Sequence, residues 1–218
     1  MANQVIYGRR PVAEAERGRR RVHRVWRTPG TPAGELERLC GSPDHQGVAA
    51  EVDPYPYADA KAMLGRKGSL LVALDQVQDP RNLGAVCRSA ELAGAAGVVI
   101  PERRAATVTP ATCKASAGAV EHLELAHVRN LADWLAAAKQ AGFWIWGADA
   151  GADQAPWQVD LTGSTIIVLG GEGKGLRPRV AGSCDGLVAL PRRGKVESLN
   201  VSAAATALLF EALRQRNR

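Results

Sequence analysis

The sequence lacks the residue patterns of several common protein classes. Its four cysteines are far apart and form no CxxC pair, which predicts isolated small apolar side chains rather than a zinc site or a disulfide framework. The four histidines show no HExxH spacing, so no metal is expected. No apolar run approaches the ~20 residues that span a bilayer, and the first residues lack a signal-peptide pattern. We therefore expect a soluble, cytoplasmic protein.

Phosphate-binding motifs are also absent, although residues 165–176 are rich in glycine and read Thr-Ile-Ile-Val-Leu-Gly-Gly-Glu-Gly-Lys-Gly-Leu. A nucleoside-triphosphate loop would have a glycine at Val168 and a hydroxyl at Gly175. The GxGxxG fingerprint of dinucleotide-binding proteins also fails on spacing, so a nucleotide-dependent oxidoreductase loses its support. The carboxylate of Glu172 would repel a phosphate and favours a ligand with a positive centre or exposed donors.

Positive charge is concentrated near the N-terminus. The chain has a formal net charge of +6, and residues 9–27 alone carry an equal excess. The planar guanidinium of arginine matches phosphate oxygens, so this segment predicts nucleic-acid binding. A basic face that only keeps the chain solvated is the alternative. The candidate contacts are Arg9, Arg10, Arg19, Arg20, Arg21 and Arg24.

Proline and glycine divide the chain into two parts. Residues 53–57 read Asp-Pro-Tyr-Pro-Tyr and residues 65–68 read Gly-Arg-Lys-Gly, a composition typical of a linker. We predict a small basic N-terminal module with its linker over residues 1–67 and a second domain over residues 68–218.

Short apolar segments alternate with helical patterns throughout the second domain. This alternation predicts an α/β fold with a parallel sheet covered by helices on both faces. The predicted strands are residues 69–74, 97–100, 123–128, 143–146, 165–169 and 186–190. The predicted helices are residues 82–93, 110–120, 131–141 and 176–183, followed by a long closing helix with a buried stripe of Leu199, Ala203, Thr206, Phe210 and Leu213.

Ligands of such sheets bind beyond the carboxyl ends of the strands, which directs attention to the loops 75–82, 170–175 and 191–200. Asn82 can cap the helix that follows the first loop. Arg88 lies in a largely apolar neighbourhood and is therefore expected to have a partner. Capping of the last helix explains one polar residue at its start, but three are present, namely Ser198, Asn200 and Ser202.

Three separated segments match the motifs of a known family in order and spacing. Residues 79–90 read Asp-Pro-Arg-Asn-Leu-Gly-Ala-Val-Cys-Arg-Ser-Ala, residues 169–176 read Leu-Gly-Gly-Glu-Gly-Lys-Gly-Leu, and residues 198–204 read Ser-Leu-Asn-Val-Ser-Ala-Ala. Together they resemble the SpoU/TrmH family of RNA ribose 2'-O-methyltransferases, which belong to the SPOUT class. Residues 5–15 and 45–50 resemble the two ends of the substrate-binding module in the rRNA branch.

The resemblance implies an S-adenosylmethionine-dependent RNA methyltransferase that forms a homodimer and has a C-terminal trefoil knot. It implies a guanosine of large-subunit rRNA as the target, with transfer RNA or a non-catalytic RNA-binding role as alternatives. The implied catalytic residues are Arg88, Asn82, Glu172, Ser198 and Asn200. The implied cofactor contacts are Leu169, Gly170, Gly171, Glu172, Gly173, Leu190, Pro191, Val196, Ser198, Leu199 and Asn200.

A guanidinium stays protonated at neutral pH, so Arg88 is a poor general base. We expect it to bind the target phosphate and stabilise the developing alkoxide, while a phosphate oxygen or water takes the proton.

The N-terminal module is shorter than its family counterpart between residues 27 and 45. A unit of this size buries little core by itself. We expect it either to pack on the catalytic domain or to order on RNA.

Overall fold

The computed structural model describes residues 3–173 and 175–217, so Lys174 of the glycine-rich motif lies outside the described residues. The N-terminal module is a three-stranded antiparallel sheet with the strand order β1-β3-β2. Helix α1 connects the first two strands, and helix α2 lies between the second and the third. The elements are β1 (Gln4–Tyr7), α1 (Arg9–Ala15), β2 (Val22–Arg27), α2 (Ala33–Cys40) and β3 (Val48–Val52).

The second domain is built on a six-stranded sheet with the order β6-β5-β4-β8-β7-β9, in which all neighbouring strands are parallel. The predicted α/β class is therefore confirmed. Strand β4 is buried at every position, as expected for a central strand covered on both faces. The strands are β4 (Leu70–Asp75), β5 (Gly97–Pro101), β6 (Glu124–Val128), β7 (Trp144–Ala148), β8 (Thr165–Gly170) and β9 (Gly186–Val188).

Helices cover both faces of this sheet. One face packs against α4, α5 and α8, and its core continues into the N-terminal module. The other face packs against α3, α6 and α7. The helices are α3 (Ala60–Met63), α4 (Pro80–Leu92), α5 (Pro110–Ala115), α6 (Leu131–Gln140), α7 (Pro178–Ala181) and α8 (Val201–Arg216).

The structure corrects one predicted helix start and one predicted helix end. The carboxylate of Asp79 caps α4 by accepting a hydrogen bond from the Arg81 N–H at 2.8 Å, so the prediction of a cap at Asn82 is wrong. The helix predicted over residues 110–120 ends at Ala115, and a separate 3-10 turn follows at Ala119–Glu121. Gly118 lies between them with a φ of 92°, a left-handed conformation that interrupts the helix.

The predicted buried stripe of α8 is also wrong. Leu199 precedes the helix and is exposed, and Phe210 is exposed as well. Apolar residues occur on more than one side of α8, so spacing alone selects the wrong face. The buried residues are Val201, Ala205, Leu208, Leu209 and Ala212.

The N-terminal module packs on the second domain, which is the first of the two expected alternatives. Ile6 and Val12 of the module share one core with Leu125 of the six-stranded sheet. Arg20 is buried and forms an ion pair with Glu121, which lies in the 3-10 turn after α5. Arg20 therefore joins the two domains, and the predicted set of nucleic-acid contacts is corrected to leave it out.

The described ranges hold neither a helix that is long and apolar enough to cross a bilayer nor a group of three or more potential metal ligands. The four cysteines are free, and Cys87 and Cys113 are buried. Burial raises the pKa of the Cys113 thiol to about 11, which keeps it protonated and unreactive at neutral pH.

Candidate active site

The three motif loops meet at the carboxyl edge of the sheet. Strands β4 and β8 are direct neighbours, with Asp75 opposite Gly170 at their ends. The loop into α4 and the glycine-rich loop therefore leave the sheet side by side. Helix α8 packs along α4 in the same direction, because Asn200 contacts Asn82 and Ser89 contacts Thr206 further along. This packing places the start of α8 beside both loops.

A chain of hydrogen bonds connects the three motifs. The Asn82 side-chain amide donates to Oε1 of Glu172. The Asn200 amide donates to Oδ1 of Asn82 at 3.1 Å, and Oδ1 of Asn200 accepts from the Ser202 N–H at 2.8 Å. Asn200 is thus the cap of α8, and Asn82 is oriented from both sides. Within the described residues, the second carboxylate oxygen of Glu172 has no hydrogen-bond partner, so it remains free to accept one from a ligand.

An ion pair between the buried carboxylate of Asp75 and the half-exposed guanidinium of Arg177 fixes the glycine-rich loop. Asp75, at the end of β4, is 1% exposed and lies 2.6 Å from a guanidinium nitrogen of Arg177. The same carboxylate accepts the backbone N–H of Arg177 at 2.9 Å. The sequence interpretation missed Asp75, although an acid that ends a fully apolar strand is a recognisable signal of a paired buried charge.

Close backbone packing requires glycine at two positions of this loop, Gly170 and Gly171. A Cβ atom on Gly170 would lie 2.1 Å from the carbonyl carbon of Gly175, and one on Gly171 would lie 2.5 Å from the carbonyl oxygen of Gln76. Gly173 has a φ of 74°, and a Cβ there would meet no atom within 4 Å. The loop is therefore packed tightly at its base, while its tip leaves the backbone open to a ligand.

The third loop offers backbone donors and apolar side chains. None of the N–H groups of residues 192–199 donates a hydrogen bond within the described chain. The Arg192 guanidinium donates to the carbonyl oxygens of Glu197 and Ala150, which holds the loop against the end of β7. Val196 and Leu199 expose their side chains. Exposed amides next to apolar side chains suit a heterocyclic base, which needs both edge contacts and apolar enclosure.

The surroundings of Arg88 differ from those that the sequence predicts. It lies on the solvent face of α4 and makes no ion pair or hydrogen bond with the described residues, so the expectation of a partner in an apolar neighbourhood is wrong. Six residues of helix separate it from Asn82 by about 9 Å along the axis and ~120° around it. The guanidinium is therefore outside the hydrogen-bonded chain and faces solvent. Ser198 is also exposed and makes no hydrogen bond with a described residue.

The basic candidates of the N-terminal module, apart from Arg20, reach the surface. Arg10 and Arg21 are exposed, and their side chains form no hydrogen bond or ion pair with the described residues. Arg9 donates to the Gln46 carbonyl at 3.3 Å. Arg19 donates to the Tyr55 hydroxyl at 3.1 Å, and Arg24 stacks on Trp26 at 5.1 Å.

Comparison with known proteins agrees with the motif geometry. Residues 69–210 match the model of the SpoU rRNA Methylase family. The chain belongs to the SpoU rRNA methylase family. A protein of Synechocystis described as an uncharacterized tRNA/rRNA methyltransferase, slr0955, is 37% identical over 243 residues, which cover 99% of this chain and 63% of that protein.

Two further SpoU relatives are more informative. The 23S rRNA (guanosine-2'-O-)-methyltransferase RlmB of Pseudomonas syringae is 47% identical over 178 residues, which cover 79% of this chain and 71% of that protein. The solved SpoU methyltransferase AviRb of Streptomyces viridochromogenes, in complex with AdoMet, has a TM-score of 0.82 and 29% identity, and the match covers 99% of this chain and 91% of that chain. The chain thus spans 63% of the length of the Synechocystis protein, 71% of the length of the Pseudomonas protein and 91% of this solved structure.

Proposed function

We propose that this protein transfers a methyl group from S-adenosylmethionine to the 2'-oxygen of a ribose in RNA. The observation that carries the proposal is the hydrogen-bonded chain from Glu172 through Asn82 to Asn200, which joins the three motifs at one edge of the sheet. Family membership and the fold shared with AviRb support it.

The residues around these hydrogen bonds suit the methyl donor. S-adenosylmethionine, when bound, supplies a methyl group on a positively charged sulfonium. The Glu172 carboxylate complements that charge, and the open amides of residues 192–199 supply donors for the adenosine. We also propose that the C-terminal part of the chain forms the trefoil knot that the family resemblance implies. The residues assigned to the donor are Leu169, Gly170, Gly171, Glu172, Gly173, Leu190, Pro191, Val196, Ser198, Leu199 and Asn200.

The protein's contribution to catalysis is to hold the ribose and to stabilise charge. Asn82, which is fixed by Glu172 and Asn200, orients the reacting groups. Arg88 is free of internal partners and so is available to bind the target phosphate and stabilise the alkoxide. As the new carbon–oxygen bond forms and the sulfur–carbon bond breaks, the hydroxyl proton passes to a phosphate oxygen or water.

We propose a guanosine of large-subunit rRNA as the target. The identity to the Pseudomonas RlmB protein supports this choice. The exposed arginines of the N-terminal module, Arg9, Arg10, Arg19, Arg21 and Arg24, are assigned to RNA phosphates.

We propose that the protein acts as a homodimer through α4 and α8. Leu92 is 59% exposed and Phe210 is 43% exposed. Both lie beyond the contact between Ser89 and Thr206, at the same end of the two parallel helices. Large apolar side chains exposed together mark an interaction surface. Arg88 and Leu92 are four residues apart on one helical face, so this interface brings Arg88 to its edge.

Tritium transfer from labelled S-adenosylmethionine to protein-free large-subunit rRNA tests the proposal. We expect incorporation with the wild-type protein and a loss of at least ~100-fold in Arg88→Ala, a typical effect of removing a group that stabilises an oxyanion. Arg38→Ala, which removes an exposed arginine of α2, serves as the control and should retain activity. Binding of the donor with no transfer to rRNA or transfer RNA would instead favour a non-catalytic RNA-binding protein.

A further inference from the structure

A row of exposed arginines lies along the carboxyl edge of the catalytic sheet, beside the candidate active site. Arg81 is in the first turn of α4, after strand β4. Arg103 and Arg104 follow β5, and Arg129 follows β6. Because β4, β5 and β6 are consecutive neighbours in the sheet, the three loops form one continuous edge. We call these four residues the arginine row.

Backbone hydrogen bonds hold the three loops of the row together. The Glu102 N–H donates to the Val128 carbonyl at 2.9 Å, which joins the end of β5 to the end of β6. The Ala106 N–H donates to the Val77 carbonyl at 2.8 Å, which joins the same loop to the segment that leads into α4. Arg81 precedes Asn82 directly. The arginine row therefore extends continuously from the end of β6 to the candidate active site.

The charges of the row are not neutralised within the described protein. None of its four guanidinium groups forms a hydrogen bond or ion pair there, and Glu102, the carboxylate among them, forms no ion pair with them. Two arginines at the opposite edge, Arg66 and Arg216, have internal partners. Arg66 pairs with Glu124 at 2.8 Å, and Arg216 donates to the carbonyls of Leu161, Gly68 and Gly163.

We infer that the arginine row binds the phosphates of the RNA strand that enters the active site. Neighbouring strands lie ~4.8 Å apart, so the row extends over about 10 Å from β4 to β6. Phosphates of a nucleic-acid strand lie only a few ångströms apart, so a row of this length can face more than one phosphate. The inference rests on the proposed function, because it names where the RNA substrate lies relative to the methyl-transfer site.

The test compares two triple variants that remove the same charge. R103A/R104A/R129A removes the row but leaves Arg81, which adjoins the site. R38A/K61A/K67A removes three exposed cations from α2, α3 and the linker. Binding of a fluorescein-labelled RNA stem-loop is measured by anisotropy over a range of salt concentrations. Donor affinity, measured by calorimetry, shows that each variant is folded.

We expect the row variant to bind RNA about ten-fold or more weakly at low salt, with a salt dependence shallower by about 2 to 3 in log–log slope. The control variant should keep the wild-type slope. R103K/R104K/R129K retains the charge and should also keep the slope. If the row variant matches the control in affinity and slope, or if the wild type does not bind RNA, the inference is overturned.

The test distinguishes a failure of the arginine-row inference from a failure of the proposed methyl-transfer activity. If the wild-type protein methylates RNA and the row variant binds RNA normally, only the row is wrong. If the wild type binds RNA through the row but transfers no methyl group, the row stands and the proposed activity fails.

Discussion

Removing one charge of the buried pair between the two domains should strongly destabilise the protein. The Arg20 and Glu121 side chains are 1% and 0% exposed, and the Arg20 Nε–H donates to Oε2 of Glu121 at 2.9 Å. Burial disfavours the Arg20 charge, but the hydrogen bonds that Arg20 donates to the Glu121 carboxylate and the negative charge of that carboxylate outweigh burial and raise the Arg20 pKa. Arg20 also donates to the Cys113 sulfur at 3.3 Å and lies over the Tyr55 ring at 5.7 Å.

Glu121→Gln keeps the shape of the side chain but leaves a buried guanidinium without its counter-charge. Breaking such a pair costs about 3–5 kcal/mol. A loss of 1 kcal/mol lowers the midpoint of thermal unfolding by ~2–4 °C in a protein of this size, so we expect a decrease of roughly 6–20 °C. Thermal and urea unfolding followed by circular dichroism at neutral pH measure it.

Two further variants make this prediction specific. Glu14→Gln changes an acid in the same contact region whose partners are Arg17 and His122, and whose exposure limits the cost to about 1 kcal/mol or less. R20M/E121L removes both charges and should recover most of the stability, because apolar replacement of a buried pair is often neutral or stabilising. A cost below about 1 kcal/mol for Glu121→Gln, or a double variant as unstable as the single one, would refute the reasoning.

The other predictions concern the glycine-rich loop and the dimer. Asp75→Asn removes the charge that holds Arg177. Because each hydrogen bond to a charged group contributes about 1.5–3 kcal/mol, the affinity for S-adenosylmethionine measured by calorimetry should fall about ten-fold or more. Unchanged affinity would show that this ion pair does not support the loop. Leu92→Asp places a charge on the proposed interface and should convert the proposed dimer into a monomer in light scattering, with loss of methyl transfer. A wild-type monomer, or a variant that remains dimeric, would contradict this interface.

The sequence was sufficient to predict the sheet and the grouping of its loops. Continuous apolar strands such as Leu70–Asp75 imply burial on both faces, and this burial implies a parallel sheet whose carboxyl ends lie together. The convergence of Asn82, Glu172 and Asn200 follows from that arrangement. Asn82 lies in the first turn of α4, the helix that follows β4, Glu172 lies in the loop that leaves β8, and Asn200 caps α8.

Local sequence patterns could not predict which residues that are distant in the sequence contact each other in the fold. Arg20 appears in the sequence as one more arginine of a basic run, and its partner Glu121 is 101 residues away. Arg88 follows apolar residues in the sequence, but it lies on the solvent face of α4 because its neighbours Val86 and Cys87 occupy the buried side. Asn82 was a plausible cap, although Asp79 followed by Pro80 was the stronger local signal for a helix start.

The most direct test of the central claim is the chemical position of the transferred methyl group. Large-subunit rRNA is incubated with the wild-type protein and S-adenosylmethionine that carries a deuterated methyl group, digested to nucleosides and analysed by mass spectrometry. We predict that the label appears in 2'-O-methylguanosine and disappears when Asn82→Ala replaces the wild type. Label on a nucleobase, or none in RNA despite binding of the donor, would contradict the account.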